Sequence, residues 1–578
     1  MRARSLHGLL AASVLLTAGT ARAGGFYLPD NGTQALGRGA AFVAKADDPT
    51  AIYHNPAGLA RQRGTQLLLN GNLALHSFEF KRSGEFPDDP NNQETPWGGL
   101  PYPAVTNTGG PFFEPFLAAT SDFGTFDRLT VGAGIFGPPA VGNRTFPLGV
   151  KSAPAASRYD FVQSRSLILF PTASVAYRIT PWLDLGVSGH LVLGSVDQTT
   201  VSYFDIGQCK NVEYQPCDSR SRLTASGSTV AATIGAMLRP ADNFQLGLTI
   251  RTPSTLTAKG TLDPQPPASL QGAQVDSGDA TVTNKLPLEA RAGARYVELD
   301  GDFELYDLEL DLVYEGWSAA QGTGPEVKVP TLGTFKDIDV VSTHKYKNTY
   351  GVRAGGAYNL EALDGVVSLR AGAYYDSSAT DFAYTRLDFD TLTKIAGTFG
   401  VGYKRGAFQF DFAYAAVASL PRVVGTGQGD IRPANGGKGG RAVDNTDQPL
   451  PAVNEGAYRG FTNILSFGVT VTFDELFSPK RPIHYGNPYE PGYVPEGAEP
   501  PKKPDAEDEK KKPDAEDEKK DEKKKPAPSS DEEKKKPASS SEEKKPPKKP
   551  APPPEEKKPE EKKPEEKPKK KDWWEDLD

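Results

Sequence analysis

The sequence predicts an all-β fold: a transmembrane antiparallel β-barrel of about fourteen strands, its lumen plugged by an amino-terminal hatch, with a disordered carboxy-terminal tail. Three observations carry that expectation. Apolar and polar residues alternate with period two in many separate runs. Short and long connections between those runs alternate along the chain. Beyond residue 23 no segment approaches the roughly 20 apolar residues of a membrane helix. A chain of this kind that crosses a membrane must therefore be a closed barrel, with every backbone group satisfied internally.

Composition agrees. Only 37% of the 578 residues are hydrophobic, while 59 Gly, 50 Pro, 22 Tyr and 28 Phe suit many turn-linked strands. The formal charge of −8 conceals two regimes, because from 501 onward 25 Lys balance 25 acidic residues and the body before them is acidic. No net basic field is present, so nucleic acid is not an expected partner.

Residues 1–23 read as a secretory signal: Arg2 and Arg4, an apolar stretch from Leu9 to Leu16, and the small-residue pattern Ala21-Arg22-Ala23. No Cys follows the cleavage point, so a lipid anchor there is not indicated. Residues 24–64 are rich in Gly and Ala, have no strand or helix period, and close on His54-Asn55-Pro56-Ala57-Gly58. They form the expected hatch.

The barrel is expected over 65–473, in runs at 65–76, 112–119, 128–136, 165–178, 182–204, 222–239, 243–255, 281–297, 302–315, 346–358, 366–376, 391–404, 408–420 and 461–473. In the ninth run Tyr306, Leu308, Leu310, Leu312 and Tyr314 share a face opposite Asp307, Glu309 and Asp311. In the last, Phe461, Leu465, Phe467, Val469, Val471 and Phe473 oppose Thr462, Ser466, Gly468, Thr470 and Thr472. Apolar residues toward lipid and polar ones toward a lumen are what an outer-membrane barrel requires. A soluble sandwich alternates in the same way, and the one-sided loop lengths decide against it. An even strand count puts both barrel ends on the periplasmic side. Cys209 and Cys217 then fall on an external loop, where a local disulfide is the simplest expectation for a secreted chain.

After a junction at 474–500, residues 501–578 form a Lys/Glu/Pro tract with the near-repeat KKPDAEDEK and an ending of Trp573-Trp574-Glu-Asp-Leu-Asp. Such a composition cannot bury a core and should stay disordered. Two aromatics after a solvated spacer suggest a peptide that contacts the cell wall or a periplasmic protein, or else an inert end.

The chain resembles the FadL family of outer-membrane long-chain fatty-acid and hydrocarbon transporters. The match rests on Gly25-Phe26, Gly37-Arg38-Gly39-Ala40, Ala46-Asp47-Asp48 and Asn55-Pro56-Ala57-Gly58, with weaker echoes such as Arg251-Thr252-Pro253-Ser254 and Leu369-Arg370-Ala371-Gly372. It extends to Phe473; chains of that family end on the last strand's aromatic, so the tail departs from the pattern. The resemblance implies a fourteen-stranded barrel closed by a small hatch, an internal apolar ligand pocket, and sideways exit where one strand kinks.

Candidate site residues follow from both sources. The family analogy puts Asn55-Pro56-Ala57 near the lateral opening, where Pro56 removes a donor and fixes φ and Asn55 satisfies loose backbone; the bland alternative is a turn before the first strand. Phe26, Tyr27 and Leu28 either line the ligand pocket or pack against the wall. Gly132, Gly134 and Gly137 with Pro138 fit a kinked, hole-forming strand. Arg251, Arg291, Arg295, Arg353 and Arg370 face the lumen by parity; each could contact a fatty carboxylate or sit in an ion ladder with the wall carboxylates. The scattered His54, His76, His190, His344 and His484 show no metal-ligand spacing, and there is no G-x-S-x-G elbow, so no enzyme, metal or cofactor is expected. His190 with Ser188 reads as a lumen ladder.

The expected function is passive transport of long-chain fatty acids or related hydrophobic compounds across an outer membrane. The alternatives are aromatic-hydrocarbon uptake, a structural barrel whose tail tethers the envelope, and a polar-solute porin, which a plug disfavours. Outer-membrane lipid and lipopolysaccharide are the expected surroundings.

Overall fold

The computed structural model describes residues 31–87, 96–138, 142–203, 213–269, 275–321, 325–332, 335–433 and 451–477. The signal sequence, Phe26, Tyr27, Leu28, Cys209 and the tail lie outside these residues.

Fourteen antiparallel strands close into a barrel. They are β1 (Thr65–Arg82), β2 (Phe112–Ser121), β3 (Leu129–Phe136), β4 (Gln163–Thr180), β5 (Leu183–Tyr203), β6 (Asp218–Ala241), β7 in two pieces (Phe244–Arg251, Ser254–Gln265) and β8 in two pieces (Gly278–Leu286, Glu289–Asp300). They continue as β9 (Phe303–Glu315), β10 (Thr349–Ala362), β11 (Gly365–Asp376), β12 (Lys394–Arg405), β13 (Phe408–Val424) and β14 (Gly456–Thr472). β1 closes the cylinder on β14 over the full register from Gln66↔Thr472 to Arg82↔Gly456. The first and last strands thereby pair with each other, so the ring has no open end strand, as the hydrocarbon interior demands. The two pieces of β7 and of β8 meet at Thr252-Pro253 and Pro287-Leu288, because a proline cannot donate to the ladder.

The alternation places side chains as expected. Leu308, Leu310 and Leu312 are exposed on the outer face, while Asp307, Glu309 and Asp311 are buried inside. Phe467, Ile250 and Leu248 also face outward. Short turns gather on one rim and long connections on the other. β4, β5 and β6 run to 18, 21 and 24 residues. A tilted strand needs only about 9–11 residues to cross a bilayer, so these three project well past it on the long-loop rim.

Residues 31–62 are almost wholly buried inside the barrel. They contain two single-turn helices, α1 (Thr33–Gly37) and α2 (Ala51–His54), and a 3-10 turn, Pro56–Arg61. The acidic ladder of β9 holds this irregular backbone. Asp311 accepts from the amides of Phe42 (2.8 Å) and Val43 (3.0 Å), and Glu309 from Ala44 (2.6 Å) and Lys45 (3.3 Å). Arg38, fully buried, reaches Asp307 at 2.5 Å and Glu309 at 3.3 Å. Thr33 joins Ser466 of β14, and the Gly39 amide donates to Thr398 of β12. Gly39 itself has φ +69°, and a Cβ there would lie 2.6–2.8 Å from the backbone of Ala373 and Ala354. Only glycine fits that approach. The segment is thus bonded to strands on several sides of the lumen.

On the long-loop rim a second, polar cluster draws five chain segments together. Glu213 bridges Arg82 (2.6 Å) and Arg158 (2.9 Å) and accepts from Tyr102, while Arg158 and Tyr159 both engage Asp218. Arg82 also donates to the Ala452 carbonyl. Burial alone would raise the Glu213 carboxyl, but Arg158 and Arg82 outweigh it and hold it below the ordinary glutamate range. Cys217 is disulfide-bonded, and Cys209 is the only other cysteine in the chain.

Candidate functional site: a pocket behind a break in the wall

The wall is interrupted once at β3. Its ladder with β2 stops at Phe116↔Phe136 and its ladder with β4 at Phe136↔Phe170. Pairing on β4 resumes only with the short stretch Asn143–Thr145. Over this interval, among the described residues, Phe112–Pro115 of β2 have no ladder partner on that side. Pro115, Pro138 and Pro171 flank the interval, and none of the three offers an N–H to bridge it.

A cleft with a cavity volume of about 100 Å³ lies at the interval and is lined from both faces of the wall. Phe113 (60% exposed) and Leu167 (47%) line it from the outer face. Ile168, Phe389, Arg144 and His76 line it from within. The strap Arg386–Asp390 roofs the inner end, since Asp388, Phe389 and Asp390 also line the cleft. Below, Phe116, Phe136 and Phe170 stack across β2, β3 and β4 with ring centroids 5.0 and 5.5 Å apart and planes within 9°. Each such pair is worth roughly 0.5–1.5 kcal/mol beyond its buried area. The last paired rung is therefore a rigid aromatic sill.

Arg144 is buried, lies over the Phe78 ring at 4.7 Å, and donates to the Leu387 carbonyl (2.8 Å) and to His76 Nε2 (3.0 Å). His76 Nδ1 then carries the proton and donates to Thr462.

The amino-terminal segment touches the break directly. Asn31 Nδ2 donates to the Gly137 carbonyl at 2.8 Å, and His54 Nε2 donates to the Asn31 carbonyl at 2.7 Å. His54 leads into Asn55, whose side chain accepts from the Ala57 amide and donates to the carbonyls of Val43 (2.9 Å) and Ala236 (3.2 Å).

Residues 14–425 match the family described as outer membrane protein transport protein (OMPP1/FadL/TodX). The chain belongs to that family. Solved structures share the FadL/TodX fold. A Pseudomonas aeruginosa FadL homologue aligns with TM-score 0.60 and 16% identity, over 78% of this chain and 100% of its own. The Pseudomonas putida toluene transporter TodX gives 0.54 and 17%, over 77% and 99%. The Ralstonia pickettii toluene transporter TbuX gives 0.52 and 17%, over 78% and 100%. No curated protein matches at the level of sequence.

Within this FadL/TodX barrel the residues singled out from sequence separate. Gly137 lies at the break and lines the cleft. Gly132 and Gly134 lie on the regularly paired part of β3, and a Cβ on either would meet Ile52, so they seat the inner segment rather than form a hole. Asn55-Pro56-Ala57 sits against β5 and β6, where a Cβ at Gly186 would lie 2.3 Å from the Pro56 carbonyl carbon and one at Gly235 2.1 Å from Asn55 Oδ1. It reaches the break only through His54 and Asn31.

The five lumen arginines are each in an ion pair. Arg251 and Arg291 share Glu289 (2.5 and 2.8 Å), Arg295 takes Asp307 (2.6 Å) and Glu304, Arg353 takes Asp376 (2.7 Å), and Arg370 takes Asp411 (2.6 Å). None of them lines the cleft. Arg144, His76 and the strap do, and sequence reasoning missed them. Ser188 bonds Ser174 and the Ile52 carbonyl, while His190 bonds Thr172 and Thr233. The two do not form a nucleophile–base pair.

Proposed function

We propose that this outer-membrane protein carries hydrophobic compounds, long-chain fatty acids foremost, passively across the membrane, with sideways exit through the break at β3. One observation carries the reading: the cleft links lumen residues to lipid-facing ones at the one interval where the β3 ladder is interrupted. Residues 24–64 act as the hatch, 65–473 as the barrel, and the short-turn rim faces the periplasm, where the junction 474–500 and the tail 501–578 begin. In this reading the hatch closes the axial path, so cargo leaves through the wall and the hatch moves only to let it reach the opening.

Aromatic-hydrocarbon uptake is the second reading. The stacked Phe116, Phe136 and Phe170 favour it, since a planar ring packs well on such a sill. The five lumen arginines, being paired already, do not argue for an acid. Uptake of labelled oleate and of labelled toluene by cells with and without the protein separates the two. Gly137→Phe supplies the structural control. Among the described residues a Cβ at Gly137 meets the Ile168 carbonyl oxygen at 3.2 Å, a contact relieved by a shift of a few tenths of an ångström, so a side chain there can project into the cleft. Uptake should fall at least about tenfold with barrel assembly unchanged. Undiminished uptake would refute exit through the break.

A further inference from the structure

Three arginines crowd one carboxylate where the inner segment meets the wall at the short-turn rim. Arg178 and Arg239 stand near the ends of β4 and β6, and Asp184 near the start of β5. Tyr177 and Leu185, beside them in sequence, face outward, while Arg178 and Asp184 are buried on the lumen side. Arg61 closes the 3-10 turn Pro56–Arg61 of the inner segment. The wall uses both oxygens of Asp184: Oδ1 accepts from Arg178 Nε at 3.0 Å, and Oδ2 accepts from Arg239 Nη2. Arg61 Nε stays 3.9 Å from Oδ2, beyond hydrogen-bond reach.

Charge does not balance here. Three guanidinium groups against one carboxylate leave two positive charges uncompensated among the described residues. The next neighbour adds no anion: Gln245 Oε1 accepts from Arg61 Nη1 at 2.9 Å and from Arg295 Nη1 at 3.0 Å, and the charge of Arg295 is already answered by Asp307 and Glu304. Donors are left over as well. Arg61 Nε and Nη2 and Arg239 Nε are buried atoms with no hydrogen-bond partner among the described residues. The side chains of Arg61 and Arg239 keep 13% and 20% exposure, so the cluster is in contact with solvent. A desolvated cation is costly unless it is paired, and the planar guanidinium fork matches the oxygens of a carboxylate or phosphate.

We propose that Arg61, Arg178 and Arg239 form a binding site for a small oxyanion, a phosphate or a carboxylate, which ties the end of the inner segment to β4 and β6. Arg61 supplies unused donors from the segment and Arg239 one from the wall. Arg178 adds its charge while its Nη2 donates to the Ala60 carbonyl at 3.0 Å, the direct bond that already joins segment and wall. With the anion bound, like charges on the two sides share a common partner; without it they repel. An anion that binds only this joined arrangement stabilises it by mass action. The site is separate from the cleft at β3, which none of the three arginines lines, and it is independent of where cargo crosses the wall.

The test uses the full chain, purified in a non-ionic detergent, with labelled inorganic phosphate and labelled acetate titrated separately by equilibrium dialysis at constant ionic strength in chloride. Saturable one-site binding of at least one ion is expected. Phosphate alone assigns the site to a free solute, and acetate alone to the head group of an acid cargo. At about ten times its Kd the bound ion should slow exchange at the Gly58 and Gln62 amides, which donate to the Asn55 and Leu59 carbonyls, about elevenfold. Losing one charge-assisted bond in Arg239→Gln should weaken binding about tenfold, with barrel mobility on a gel before heating unchanged. No saturable binding of either ion to the parent chain, an arm that needs no substitution, overturns the proposal. So does parent-like affinity in both Arg239→Gln and Arg61→Gln. Binding that leaves exchange at Gly58 and Gln62 unaltered refutes the tie.

Discussion

Arg38→Met is the sharpest probe of what holds the amino-terminal segment inside the barrel. The guanidinium is 0% exposed, with Asp307 Oδ2 at 2.5 Å and Glu309 Oε2 at 3.3 Å. Removing one partner of a buried ion pair costs about 3–5 kcal/mol, chiefly because the other charge is left uncompensated. Two facts place this case at the lower end. Asp307 keeps Arg295 at 2.6 Å, and Glu309 keeps the Ala44 amide at 2.6 Å. Methionine also fills most of the vacated volume, so the cavity contribution is small. A loss of about 3 kcal/mol corresponds to roughly a hundredfold increase in the detached state. Amide hydrogen exchange at Phe42, Val43 and Ala44, whose protons point at Asp311 and Glu309, should accelerate by that factor while β-ladder amides stay protected. Brief ion-conducting events in a planar bilayer should accompany it. If the variant folds and those three amides exchange at the parent rate, the acidic ladder of β9 is not what retains the segment.

Two further outcomes follow from contacts already described. Gly186→Val places a Cβ against the Pro56–Ala57 backbone, which must shift; a loss on the order of 1–3 kcal/mol confined to the inner segment is expected. It should show as faster exchange at Ala57 and Gly58 with unchanged barrel mobility on a gel before heating. The Glu213 cluster makes the long-loop rim sensitive to acid. A carboxyl depressed by Arg158 and Arg82 contributes stability that is complete above the ordinary glutamate pKa of 4.5 and is lost as pH falls below it. Proteolysis of the long-loop rim should therefore quicken below about pH 4.5 and remain flat from there to neutrality; Glu213→Gln should be cleaved quickly throughout.

The barrel was legible because its signal is local. Leu308, Leu310 and Leu312 against Asp307, Glu309 and Asp311 fix both the strand and its facing without any knowledge of neighbours. What those acids bind was not legible. They read as counter-ions for lumen arginines, and Asp307 does pair with Arg295. Asp311 and Glu309 instead accept from the backbone of 42–45, a stretch with no period that could announce its position. The wall break was half visible: glycines marked the right strand, but only Gly137 stands at the interruption, because Gly132 and Gly134 are small for the sake of Ile52. The cleft's roof was invisible. Arg144 and the strap Arg386–Asp390 come from aperiodic loops more than 200 residues apart, joined by single hydrogen bonds.

Pro115, Pro138 and Pro171 around the break bear on assembly as well as on passage. A closed barrel is a solution to the danger of exposed strand edges, which otherwise recruit other chains. Among the described residues the break leaves a short length of such an edge, at Phe112–Pro115, in a molecule that must fold beside many other nascent strands. Pro115 on one lip, Pro138 at the end of the broken strand and Pro171 just below the other lip remove donors where a foreign strand would begin to zip. The same chemistry that keeps the wall from healing itself keeps it from being patched by a stranger.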